Sequence, residues 1–130
     1  MDKVQEFSAP LGRLLISFMF VMAGISKIGG YEGTQGYMES VGVPGMLLPL
    51  VILTEVGLGL AVIVGYKTRI AALGLAGFCI LAAILFHANF SDQMQMIMFM
   101  KNIGLAGGFL LLVAHGAGSY SLDNRLANSE

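Results

Sequence analysis

Glu55 stands near the middle of an apolar run, LPLVILTEVGLGLAVIVG, residues 48–65. A carboxylate at bilayer depth costs at least about 2.5–3.5 kcal/mol even on lenient insertion scales. Four other ionisable side chains fall within or at the edges of similar runs: Arg13, Lys27, His87 and Lys101, with Asn89 and Asn102 flanking them. A helical rise of 1.5 Å per residue puts Glu55 ~15 Å from one boundary, and Lys101 roughly 9–10 Å from the same boundary. His87 and Lys27 then lie within about one turn of it, and Arg13 ~7 Å from the opposite face. Lys101 is therefore within side-chain reach of Glu55, and Arg13 approaches from the other side. Glu55 reads either as a structural counter-ion or as part of a site that binds or moves protons and electrons. Both readings need a cation from another helix. Lys27 also suits simple snorkelling to the headgroups, and His87 and His115 suit interfacial hydrogen bonding. Lys101 and Asn102, two turns into an apolar helix, are harder to assign to the interface.

Other chemistries are bounded by spacing. A bis-His haem needs two imidazoles about one iron, whereas His87 and His115 are expected at opposite ends of a ~30 Å hydrocarbon core. Met94, Met96, Met98 and Met100 alternate in DQMQMIMFMKN. Thioethers suit Cu(I), but on a helix Met94 and Met98 share one face and Met96 and Met100 roughly the other, so flexible packing is the simpler reading. Cys79 is the single cysteine, which excludes a disulfide or dithiol pair within one chain. No flavin, haem or Fe–S motif is present, so no such intrinsic cofactor is expected, and no metal ligand set is assigned.

The elements that must hold these residues follow from composition. Of 130 residues, 56% are hydrophobic and 12% charged, against about 25% charged in a typical soluble domain. The net charge of −1 offers no basic patch and argues against a nucleic-acid partner, and the mean hydropathy of +0.79 points to an integral membrane protein in contact with the lipid bilayer. Residues 1–130 read as a single membrane domain with spans at about 8–28, 45–65, 69–90 and 95–115. The first span is too long for a signal-peptide h-region, and Pro10 fits its opening turn. Between the first two spans, Thr34 is expected to cap a short interfacial helix presenting Tyr37, Met38 and Val41 on one side. Lys3, Arg13, Lys67, Arg69 and Arg125 gather at one end, against Lys27 and Lys101 with Glu32, Glu39 and Asp92 at the other. That bias predicts both termini in the cytoplasm. Gly57, Gly59, Gly74, Gly77, Gly104 and Gly108 favour close helix contacts. The fold class is all-α, a membrane-spanning four-helix bundle.

The segments GRLLISFMFVMAGISKIGGY, VGVPGMLLPLVILTEVGLGLAVIVGYKTRIAAL, FH and FMKNIGLAGGFLLLVAHGAGSYSLD resemble the DoxX family of small bacterial membrane proteins, in order and over nearly the whole chain. Its pattern falls on Arg13, Gly24 to Lys27, Glu55, His87, Lys101 with Asn102, Gly116 to Gly118 and Ser121 to Asp123, with Ala117 where the family tends to have Pro. The resemblance implies a bacterial inner-membrane four-helix bundle associated with quinone or quinol oxidoreduction, thiosulfate oxidation with a partner subunit, or oxidative-stress complexes. On that reading Glu55, Lys101 and His87 would be catalytic and Arg13, Lys27 and Asn102 would bind a quinone-like ligand. Electrons would come from the quinol, a diffusible donor or a redox partner protein, and a homo-oligomer is the other assembly to consider. The alternative is a non-enzymatic accessory subunit, scaffold or small-solute carrier whose buried charges only fix helix register.

Overall fold

Each apolar run satisfies its own backbone hydrogen bonds by coiling, the condition for crossing lipid. In the computed structural model, which describes residues 3–129, the runs form α1 (Lys3–Gly29), α3 (Gly45–Val64), α4 (Thr68–Phe86) and α5 (Gln93–His115). All four are long and apolar enough to span a bilayer. Two shorter helices complete the chain, α2 (Tyr31–Ser40) after α1 and α6 (Leu122–Ser129) after α5. No strand occurs among the described residues.

Local chemistry sets the boundaries, and several differ from the sequence expectation. Helix α1 begins at Lys3 rather than near residue 8, so Pro10 lies inside it and supplies no N–H to the preceding turn. Helix α4 stops at Phe86 rather than near residue 90. The Asn89 carboxamide oxygen accepts from the Ser91 N–H at 3.3 Å and its hydroxyl at 2.6 Å, turning the chain. Asp92 then caps α5 by accepting from the Met94 N–H at 3.0 Å. Thr34 does not cap α2. The helix starts earlier, after Gly30, and the Thr34 hydroxyl donates back to the Gly30 carbonyl at 2.9 Å. Met38 is buried beneath α2, while Val41 lies just beyond its end.

Helix α1 packs along α3, α3 against α4, and α4 along α5. Close approach of α1 and α3 depends on two missing side chains. A Cβ at Gly59 would stand 2.9 Å from Val21 Cγ2, and one at Gly24 would collide with the Val56 side chain and lie 3.3 Å from Glu55 Cβ. Phe20 of α1 meets Phe109 of α5 edge-on, with centroids 5.4 Å apart, within a core that includes Val62, Leu75 and Cys79.

One end of the molecule is tied by the chain's last segment. Asp123 accepts from the backbone N–H groups of Lys67 and Thr68 at 2.6 and 2.8 Å, and its own N–H donates to the Gly65 carbonyl at 2.7 Å. Partial burial opposes ionisation of Asp123, but the Thr68 and Lys67 N–H groups and the charge of Arg13 outweigh it and hold the carboxyl below its ordinary range.

Candidate functional site

The central feature of the site is a local break in α3. Residues Thr54–Leu58 form a π-turn, where the Thr54 hydroxyl donates to the Leu50 carbonyl at 2.8 Å. A π-turn inserts an extra residue into the helical register, and such turns recur at functional sites. Glu55 stands at its start and is buried, while Leu50 and Leu53 on the same helix face outward.

The cation that meets Glu55 is Lys27. Its Nζ lies 2.8 Å from Glu55 Oε1, with the two side chains 29% and 5% exposed. Gly24 explains this choice: with no Cβ it lets α1 press against the π-turn, and Lys27 follows three residues on along the same face. Neither Lys101 nor Arg13, the two cations that depth alone brought within reach, forms this pair. Arg13 is at the other end of α1, where Nη1 donates to the carbonyls of Val62 at 3.2 Å and Ile63 at 3.0 Å, and Nη2 to that of Tyr120. It closes the last carbonyls of α3 and fastens the chain after α5, which is a structural role. The expectation that Arg13 belongs with the ligand-binding residues is therefore not met by its position.

The remaining candidates converge. Lys27, Glu55, His87, Lys101 and Asn102 all line one cavity of about 370 Å³. Phe20 and Ala23 of α1, Phe78 and Phe86 of α4, and Met98 and Leu105 of α5 supply much of its apolar wall, and α2 contributes Thr34, Tyr37 and Met38. Tyr37 stacks on Phe86 at 5.8 Å and its hydroxyl lies 3.4 Å from the Phe86 carbonyl, so α2 covers the outer end. Among the described residues Lys101 has no hydrogen-bond or ion-pair partner. Asn102 donates one amide hydrogen to the Met98 carbonyl at 3.0 Å, which fixes its rotation and leaves Oδ1 as an acceptor. Of the methionine series, Met98 alone lines the cavity, whereas Met94, Met96 and Met100 are exposed on the outer surface.

Sequence reasoning missed Gln95. Its Oε1 lies 2.8 Å from His87 Nδ1, and because an amide oxygen only accepts, the contact is made by an Nδ1–H and orients the ring with Nε2 on its other side. The signal was faint, since a Gln in the first turn of α5 resembles any interfacial polar residue. His87 and His115 lie at opposite ends of the fold, the first beside the start of α5 and the second as its last residue.

Chemically, the cavity joins an apolar wall to a carboxylate–ammonium pair, an unpaired ammonium, an oriented imidazole and an amide. Pockets of this size and kind hold small organic ligands, with a few polar groups fixing orientation.

The DoxX family model matches residues 9–88, a stretch that includes Arg13, Lys27, Glu55 and His87. Inner membrane protein YqjF of Escherichia coli (strain K12) is 51% identical over 130 residues, covering 100% of this chain and 99% of that one. Inner membrane protein YphA of the same organism is 32% identical over 123 residues, 88% of this chain and 87% of its own. CatD of Bacillus subtilis (strain 168), named provisionally as an oxidoreductase, is 33% identical over 70 residues, 54% of this chain and 52% of its own. No solved structure matches.

Proposed function

This chain belongs to the DoxX family and is a multi-pass protein of the bacterial inner membrane, and from that premise we propose that its cavity binds a quinone-like ring for oxidoreduction. The observation that carries the proposal is Lys101. An ammonium two turns into an apolar helix, exposed on the helix surface yet lining the cavity and without a partner among the described residues, supports a ligand that offers it an acceptor oxygen. The donor set fits such a ring. Lys101 and the free amide hydrogen of Asn102 donate to a carbonyl oxygen, and the aromatic and aliphatic wall packs on the ring faces. A bound quinone would supply the two-electron, two-proton chemistry that the side chains lack.

The protein's part is to position the ring, exclude water and manage protons. Lys101 stabilises negative charge developing on an oxygen. His87, oriented by Gln95, offers Nε2 as a proton acceptor at the outer end. Glu55 holds or passes a proton at its carboxylate, and Lys27 keeps it oriented. The provisional name of the CatD relative supports the redox class and no particular substrate.

We further read the four spans as a bundle with both termini in the cytoplasm. Lys3, Arg13, Lys67, Arg69 and Arg125 lie at the end tied by Asp123, which supports that orientation. The cavity then opens at the periplasmic half of the membrane. A second reading, a purely structural ion pair in an accessory subunit, draws support from the Lys27–Glu55 contact alone and leaves Lys101 unexplained. The test is the quinone content of the protein purified in mild detergent, by mass spectrometry of the extracted lipid, beside a Lys101→Met variant. Stoichiometric quinone lost in the variant supports the proposal, and its absence from both folded proteins removes it.

A further inference from the structure

A second hollow adjoins the cavity. It is a groove of about 310 Å³ between α3 and α4, beneath α2, and Met38, Val51, Phe78, Ala82 and Phe86 border both spaces. Apart from Thr54, its side chains are apolar, and the Thr54 hydroxyl is already bonded to Leu50. Leu50, Leu81 and Leu85 on its rim are exposed on the surface that faces lipid. The groove owes its depth to α4. A Cβ at Gly74 would press on Leu58 Cδ1 at 2.7 Å, whereas one at Gly77 would meet nothing within 4 Å. Gly77 is thus a gap in the helix surface that no neighbouring helix of this chain uses.

We propose that the ligand of the cavity is an amphiphile that arrives from the lipid phase, with its ring among Lys101, Asn102 and Glu55 and its hydrocarbon chain in the groove beside Gly77. The inference rests on the reading of the cavity as a ligand site and adds the ligand's second half and its route. Continuity decides the occupant. A helix of another copy laid in the groove would leave its inner end open to a polar chamber, whereas a single chain leaving a bound ring fills both. Nothing polar in the groove selects a head group there, so discrimination falls on the presence of a chain.

Substitution of Gly77 by Phe separates the two halves. It fills the groove, whose lining includes none of Lys27, Glu55, His87, Lys101 and Asn102, and replacing Gly inside a helix improves the local propensity, so folding is retained. The full-length protein in detergent is titrated with a decyl-substituted benzoquinone and with the same ring carrying a methyl group, both corrected for partitioning. We expect the parent to prefer the decyl compound by about tenfold, and Gly77→Phe to abolish that preference while leaving the methyl compound's affinity unchanged. Lys101→Met should weaken both. Equal affinities in the parent, or indifference of the decyl compound to Gly77→Phe, would overturn the groove assignment and leave the cavity reading intact. Binding of neither compound would overturn both. A changed oligomeric mass in Gly77→Phe with unchanged decyl binding would make the groove a self-association surface and overturn the inference.

Discussion

Removing the two members of the Lys27–Glu55 pair one at a time should have unequal costs. Lys27→Met strands a carboxylate that is 5% exposed, and leaving one partner of a buried ion pair costs about 3–5 kcal/mol. Glu55→Gln strands an ammonium that is 29% exposed, on a stem long enough to reach the headgroups, so its cost should stay near 1 kcal/mol. The double variant leaves no uncompensated charge and should return to within about 1 kcal/mol of the parent, a coupling of roughly 3 kcal/mol or more. Cys79 provides the assay. It is the single cysteine and is fully buried, so labelling by a thiol-reactive dye during a denaturing-detergent titration reports unfolding directly. Equal costs for the two single variants, or a double variant as unstable as the sum of its parts, would refute the pairing and the burial asymmetry together.

Three further outcomes follow from the same structure. Gly24→Ala should destabilise by about 1–3 kcal/mol, because its Cβ collides with Val56 and pushes α1 off the π-turn, and the same labelling titration measures it. Arg13→Lys should behave as a loss: one ammonium cannot reproduce a fork that serves the carbonyls of Val62, Ile63 and Tyr120, and limited proteolysis should cut the chain after α5 faster. Asp123 is held below its ordinary pKa, so its contribution is complete above about pH 4 and is lost as pH falls through the lower folded value. Asp123→Asn should therefore flatten the acid limb of tail protection, and an unchanged limb would contradict the assignment.

The sequence carried the fold further than the site. Runs of about twenty apolar residues locate the four long helices because lipid forces every backbone group to be satisfied within the segment. Their ends were less legible. Asn89 and Ser91 stop α4 through a side-chain turn, and Thr34 bonds backward instead of capping, both choices made by local geometry. Depth alone brought Glu55, Lys101 and Arg13 within reach of one another, but rotation about the helix axes decides partners. The π-turn and Gly24 set that rotation; the π-turn leaves no periodic signature in TEVGLG, and Gly24 is one glycine among several in the spans. Arg13 shows the cost of reasoning from residue type: a buried cation beside an apolar run serves backbone carbonyls as readily as a ligand. Gln95 escaped notice for the opposite reason, as an unremarkable polar residue whose value lies in orienting His87.

The central claim is that Lys101 is unpaired because a ligand completes it. Lys101 has no protein partner among the described residues, so Lys101→Met should leave stability unchanged or raised while removing the ligand. The most direct measurement is therefore quinone per protein, by mass spectrometry of lipid extracted from parent and Lys101→Met preparations that unfold at the same denaturant concentration. The account predicts near one quinone per chain in the parent and a trace in the variant. Equal quinone in the two, or none in a folded parent, would contradict it.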